Sequence, residues 1–197
     1  MDIVILLYPR FTALDAVGPY EVLRNLPGAT VTFVAKEVGP VRTDSGALAI
    51  TADAAIRDVP SADVVVVPGG PGQADFMQDA EILDWLRAIH ETTQWTTSVC
   101  TGSLLLGAAG LLDGLQATSH WTALDHLPTF GASPTLMRVV EQGKVITAAG
   151  DLGGQAIQLG IEYDPQPPFD AGSPAKAPKH IVEMLQGMSR FAVPEGV

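Results

Sequence analysis

Apolar positions in this chain fall into two alternating patterns. IVILLY at 3–8 and the valines of ADVVVVPGGPG at 62–72 are unbroken runs with no polar alternation. Such runs predict strands buried on both faces of a parallel sheet. TVTFVAKE at 30–37 and WTTSVC at 95–100 predict two more, rich in β-branched residues. Between these runs the spacing becomes helical. Ile82, Leu83, Leu86 and Ile89 line one face of a helix predicted from Asp79 to Thr92, with Asp79 as its N-cap. FTALDAVGPYEVLRNL predicts a loop entering a helix, where Pro19 is tolerated if it falls in the first turn. TGSLLLGAAGLL predicts the helix after WTTSVC. Broken β-prone pieces at 41–56 predict a hairpin or excursion, and short strands are predicted at 117–120, 137–142 and 144–150. A last helix is predicted from Lys179 to about Ser189, after an irregular proline-rich segment at 162–178. Strand and helix alternate, and the strands are apolar throughout. The prediction is an α/β fold: one domain over 1–197, with a mainly parallel sheet flanked by helices on both faces.

Charge narrows the partners. With 22 acidic and 11 basic residues the formal charge is −11, and no basic run or basic helix face is present. That argues against nucleic acid and against an anionic membrane surface. No apolar stretch nears the roughly 20 residues that span a bilayer, and Met1-Asp2 leads into a strand with no signal-peptide pattern. The single cysteine excludes an internal disulfide, so the expected compartment is the reducing cytoplasm. No histidine pair has helical metal-ligand spacing, and no metal is expected.

That cysteine, Cys100, lies where a predicted strand meets a glycine-rich helix. In open parallel sheets, sites form at the carboxyl ends of the strands. PGGPG and the FTALD loop fall at two other strand ends, so a thiol, a glycine turn and the Asp15 carboxylate share one edge. Each feature also has a plain structural reading: a buried small residue, a strand-ending turn and a helix cap. In the sharper reading, CTGS is a nucleophile elbow, and the positive helix end favours the thiolate. The N–H groups of Thr101 and Gly70 would then form an oxyanion-hole-like pair.

FTALDAVGPYEVL, ADVVVVPGGPG, SVCTGSLLLGAAGLLDGLQATSHW and IQLGIEYDPQPPFDAGSP together resemble the ThiJ/PfpI superfamily, which is related to class I glutamine amidotransferases. The LDAVGP loop, the CTGS elbow and the EYDPQPPFDAGSP tail are similar to its isocyanide hydratase branch. The resemblance implies a flavodoxin-like fold, a homodimer and no cofactor. It also implies that Cys100 is the nucleophile and that Asp15 bonds the sulfur and moves protons. Thr101 stands where relatives carry histidine, and Gly70 and Thr101 match the backbone donors beside the thiolate. His120 of TSHW matches a histidine near the cysteine, read here as an ordering hydrogen-bond partner. His90, His126 and His180 are expected at the surface. After VITAAG the family continues with a turn and a long apolar helix, whereas this chain has only DLGG between Gly150 and Gln155.

The implied reaction begins with the Cys100 thiolate attacking an isocyanide carbon to give a thioimidate. Water, with protons relayed by Asp15, then releases an N-substituted formamide. A protonated Asp15 donating to the thiolate would keep two like charges from meeting. Other readings of the same residues stay open: an amidase or glyoxalase-type enzyme, or a ligand or redox sensor built on an oxidisable thiol.

Overall fold

The computed structural model describes residues 1–149, 171 and 173–187. The valine run forms the middle of the sheet. Strand β6 (Val64–Val67) is buried at every position, between β1 (Asp2–Leu6) and β7 (Trp95–Val99). All three are parallel, with Ile3 opposite Val64 and Val64 opposite Trp95. On the far side of β1 lie β2 (Thr30–Ala35) and the two-residue β5 (Ala54–Ala55). Beyond β7 lie β11 (Val145–Ala148) and the antiparallel edge strand β10 (Val139–Gln142). The chain therefore runs outward from β1 through β2 and β5, then returns to β6 on the other side. The crevice at the carboxyl ends of β1 and β6 is the topological switch point, where open α/β sheets place their ligands.

Helices close both faces. Helix α1 (Ala13–Leu23) follows β1; α2 (Gln73–Phe76) and α3 (Ala80–Thr92) follow β6; α4 (Gly102–Ala108) follows β7. The side chain of Asp79 caps α3 by accepting the Glu81 and Ile82 N–H groups. Ile82, Leu83, Leu86 and Ile89 are buried as the pattern predicts, together with Trp85, whose indole N–H donates to the Val59 carbonyl at 2.9 Å. Helix α4 is buried nearly all round, and Gly102 explains its depth. A Cβ there would stand 2.0 Å from the Val67 carbonyl oxygen, so only glycine lets this backbone lie on β6.

The 41–56 excursion is a hairpin of β3 (Gly39–Arg42) and β4 (Ala49–Ala52), which lies apart from the main sheet. The predicted strand at 117–120 shrinks to β8 (Gln116–Ala117), which pairs in parallel with β9 (Ser133–Pro134). The last helix, α5, covers Lys179–Gly187. The expected shortening between Gly150 and Gln155, and most of the 162–178 segment, lie outside the described residues.

Two expectations need correction. Pro19 sits in the middle of α1 rather than in its first turn, where it has no N–H to offer the Asp15 carbonyl. Buried Ala16, Pro19 and Val22 show why the helix continues: packing on the sheet outweighs one lost backbone bond. The helix predicted over 101–112 also stops early, at Ala108, and Gly110 follows with a positive φ of 79°. No helix among the described residues is long and apolar enough to cross a membrane.

Candidate active site

Three strand ends supply the site, and each contributes in a specific way. At the end of β7, Cys100 takes φ 57°, the left-handed conformation that non-glycine residues rarely adopt. Holding a side chain there costs on the order of 1–2 kcal/mol. Both backbone groups of the residue are engaged. Its N–H donates to the Ala148 carbonyl at 2.8 Å, and its carbonyl accepts the hydroxyls of Ser119 at 3.1 Å and Ser103 at 3.3 Å. The sharp turn at the head of α4 is thus over-determined, as a strained nucleophile elbow requires.

At the end of β6, Pro68, Gly69 and Gly70 form the turn that grips the other residues. The Gly69 N–H donates to Asp15 Oδ2 at 3.1 Å, and its carbonyl accepts the Thr12 N–H at 2.8 Å. The Gly70 N–H donates to Thr101 Oγ1 at 3.0 Å. A Cβ on Gly69 would stand 2.5 Å from the Thr101 nitrogen and 2.8 Å from Cys100 Cβ, so the turn lies directly on the elbow. At the end of β1, Asp15 sits in the first turn of α1, yet its carboxylate does not cap that helix. It is buried and points across to Gly69 and to the Cys100 thiol.

The electrostatics of this pair follow from burial. Burial raises the Asp15 pKa to about 6; the Gly69 N–H and the Cys100 hydrogen bond pull it back, and nearby Asp44 pushes it up. Burial drives the Cys100 thiol far above its ordinary value, helped by the charge of Asp15. The Thr101 N–H and hydroxyl at the sulfur oppose that shift without overcoming it. A helix end contributes about 0.3–1 kcal/mol to a nearby charge. Each pKa unit corresponds to about 1.4 kcal/mol, and full burial moves a group by several units. Burial outweighs the helix end, so both groups are pushed toward their neutral forms, and the pair carries one negative charge more readily than two. A protonated Asp15 donating to a thiolate, as expected, and a thiol donating to the carboxylate are the two placements of that one proton, and the upward push on the thiol favours the second.

The other expected residues take definite places. Thr101 is fully buried; it meets the sulfur with both its N–H and its hydroxyl. Gly70 departs from its expected part, because its N–H is taken by the Thr101 hydroxyl instead of facing the sulfur. His120 lies one residue beyond Ser119, and its Nδ1 pairs with Thr122 Oγ1 at 2.8 Å and accepts the Thr122 N–H at 3.3 Å. His90 is half-buried rather than at the surface, with Nδ1 2.8 Å from Thr96 Oγ1 at the other end of β7. Among the described residues no three His, Cys, Asp or Glu side chains converge as metal ligands.

Several contributors carry no local sequence signal. Ser119 hides beside His120, and Gly69 is one of three glycines in PGGPG. Asp44 arrives on the β3–β4 hairpin, whose tip lies along the 10–12 loop. The Asp44 N–H donates to the Phe11 carbonyl at 2.9 Å, and Thr12 Oγ1 donates to Asp44 Oδ2 at 3.3 Å.

This geometry can be set beside known proteins. The family model described as "DJ-1/PfpI family" matches residues 1–161. The chain is 42% identical over 200 residues to an isonitrile hydratase of Pseudomonas putida, a match covering 93% of this chain and 87% of that one. It is 30% identical to the HTH-type transcriptional regulator CdhR of Pseudomonas aeruginosa, over 82% of this chain but only 49% of the regulator. Among solved structures, a ThiJ/PfpI family protein from Pseudomonas syringae superposes with a TM-score of 0.89 at 40% identity, covering 95% of this chain and 85% of that one.

Proposed function

We propose, from the premise that the chain belongs to the DJ-1/PfpI family, that it is an isocyanide hydratase using Cys100 as nucleophile. The observation that carries this reading is the buried Asp15 carboxylate against the Cys100 thiol, in a chain 42% identical to an isonitrile hydratase. Asp15 takes the thiol proton as sulfur bonds to the electrophilic isocyanide carbon, and the same proton then passes to that carbon. The product is a thioimidate, formed by addition with nothing released. Water adds across its C=N bond, giving a tetrahedral adduct that carries N–H and O–H. Collapse breaks the C–S bond, frees the N-substituted formamide and returns the proton to sulfur. The sum is one water added, with no electron transferred and no cofactor required. A carboxylic acid titrating near 6 suits this part, because a proton carrier works best near the ambient pH. The Thr101 N–H at the sulfur supports the charge that develops there.

The absence of histidine after Cys100 weighs against the amidase reading, since amide cleavage needs a proton donor for the leaving nitrogen. The regulator match weighs less, because it spans only half of that protein. A cytoplasmic homodimer of a single domain acting on a small isocyanide completes the proposal; the lone cysteine and the charge of −11 support the compartment and the exclusion of nucleic acid. Sedimentation of the native chain tests the dimer.

The deciding assay follows the absorbance of an aryl isocyanide as it becomes its formamide, with Cys100→Ala alongside. Turnover is expected in the native chain, with a loss of at least about 10⁴-fold in a folded Cys100→Ala protein. No turnover by folded, reduced native protein overturns the proposal and leaves the sensor reading in its place.

A further inference from the structure

We propose that Tyr8 is a positioning residue for the proton carrier: its hydroxyl fixes the Pro68–Gly69 peptide and thereby aims the Gly69 N–H at the Asp15 carboxylate. Two hydrogen bonds place it there. Tyr8 donates its hydroxyl to the Pro68 carbonyl at 2.7 Å, and the Gly69 N–H donates to Asp15 Oδ2 at 3.1 Å. That carbonyl and that N–H belong to one peptide unit. The unit is planar and trans, so its C=O and N–H point in opposite directions and turn together. Glycine at 69 leaves the unit freer to rotate than any other residue would. A lock on the carbonyl end is therefore a lock on the donor end.

Tyr8 is built to be that lock. It is 1% exposed, it lies two residues beyond β1, and its ring packs against Phe76 with centroids 5.5 Å apart. Burial, Asp15 and Cys100 all push its phenol well above the ordinary tyrosine value, so it remains a donor throughout the working pH range. Without the hydroxyl, the peptide is free to turn and present its carbonyl to Asp15. Two acceptors would then face each other, an arrangement satisfied only when Asp15 carries a proton. Among the described residues, the charged and titratable groups facing Asp15 are the Cys100 thiol from the elbow, Asp44 from the hairpin tip and Tyr8 from beyond the end of β1. The Gly69 N–H is the backbone donor that favours the carboxylate, at 3.1 Å from Asp15 Oδ2. Tyr8 thus favours the charged form of Asp15 from a distance, through one rigid peptide.

The consequence for rate rests on the reading of Asp15 as proton carrier; the geometry does not. The test therefore reads Asp15 directly, by the pH titration of its ¹³C-carboxyl resonance in the full chain, assigned with Asp15→Asn. Tyr8→Phe is expected to raise the midpoint by about one pH unit, the loss of one hydrogen bond to a charged acceptor. An unmoved midpoint in folded Tyr8→Phe overturns the proposal. Should that variant fail to fold, 3-fluorotyrosine placed at position 8 alone decides. As a stronger donor of similar shape it must leave the midpoint where it is or lower it, and a rise overturns the proposal. Aryl isocyanide turnover on the same samples separates the two ideas. A raised midpoint with no native turnover keeps Tyr8 in place and removes the hydratase reading, while native turnover with an unmoved midpoint does the opposite.

Discussion

Two aspartates stand at the heads of helices in this molecule, and their carboxyl groups titrate in opposite directions. Asp79 precedes α3 and accepts the N–H groups of Glu81 at 3.1 Å and Ile82 at 3.2 Å, while its second oxygen meets Lys36 Nζ at 2.7 Å. Burial alone would push it upward, but Lys36 and the two amides outweigh that and hold it below the usual carboxylate range. Asp15 occupies the first turn of α1 and leaves its own helix uncapped. Among the described residues it has no cationic partner; it has one backbone donor, one thiol and a second carboxylate nearby, and it rises to about 6. Position at a helix end is common to both, so it does not by itself account for the difference. Burial without a cation separates Asp15 from the cap.

The sharpest break in the comparison is to neutralise each carboxylate in turn. Asp15→Asn is expected to lower kcat/KM for an aryl isocyanide by about 10³-fold, because the thiol loses its proton acceptor. The native pH profile should show the same group. Since the mechanism needs the carboxylate, kcat/KM should fall about tenfold per pH unit below a midpoint near 6, and a flat profile from pH 5 to 8 would contradict the assignment.

Stability should move the other way at this site. Asp15 titrates near 3.8 when unfolded and near 6 when folded, so between those values the native state binds more protons than the unfolded one. Unfolding free energy therefore falls as pH rises through that window, by about 3 kcal/mol, and is level above it. Asp15→Asn should abolish that slope and unfold in more urea than the native chain at pH 8. A slope that survives the substitution would place the titration elsewhere.

Local pattern revealed some of this arrangement and hid the rest for a physical reason. The buried valines of β6, the inward face of α3 and the lone thiol between a strand and a helix are all written in neighbouring residues. Pro19 within α1 is not, because local propensity argues against it and only sheet packing retains it. The contacts that define the site lie farther apart still. Tyr8 and Pro68 are 60 positions apart, Asp15 and Gly69 are 54 apart, and Thr12 and Asp44 are 32 apart. Residue types and spacing named Cys100, Asp15 and Thr101. The ionisation of the thiol depends on burial, which three-dimensional packing sets and a helix terminus alone does not reveal.

The smallest effect is the control that gives the comparison its meaning. Asp79→Ala removes the one oxygen that accepts two N–H groups at the head of α3, and such a loss costs about 1 kcal/mol. Asp79→Asn keeps a side-chain oxygen for the same two amides and gives up chiefly the attraction to Lys36, whose side chain is 39% exposed and also meets Glu81 at 3.0 Å. A partly exposed pair of this kind contributes less than about 1 kcal/mol, so the asparagine variant should unfold between the native chain and the alanine variant in urea. Neither change should alter turnover by more than about twofold, since Asp79 touches no residue of the site. If Asp79→Asn slowed hydration as severely as Asp15→Asn, the rate loss would follow from removing a carboxylate at any helix end, and the distinction drawn from burial would fail.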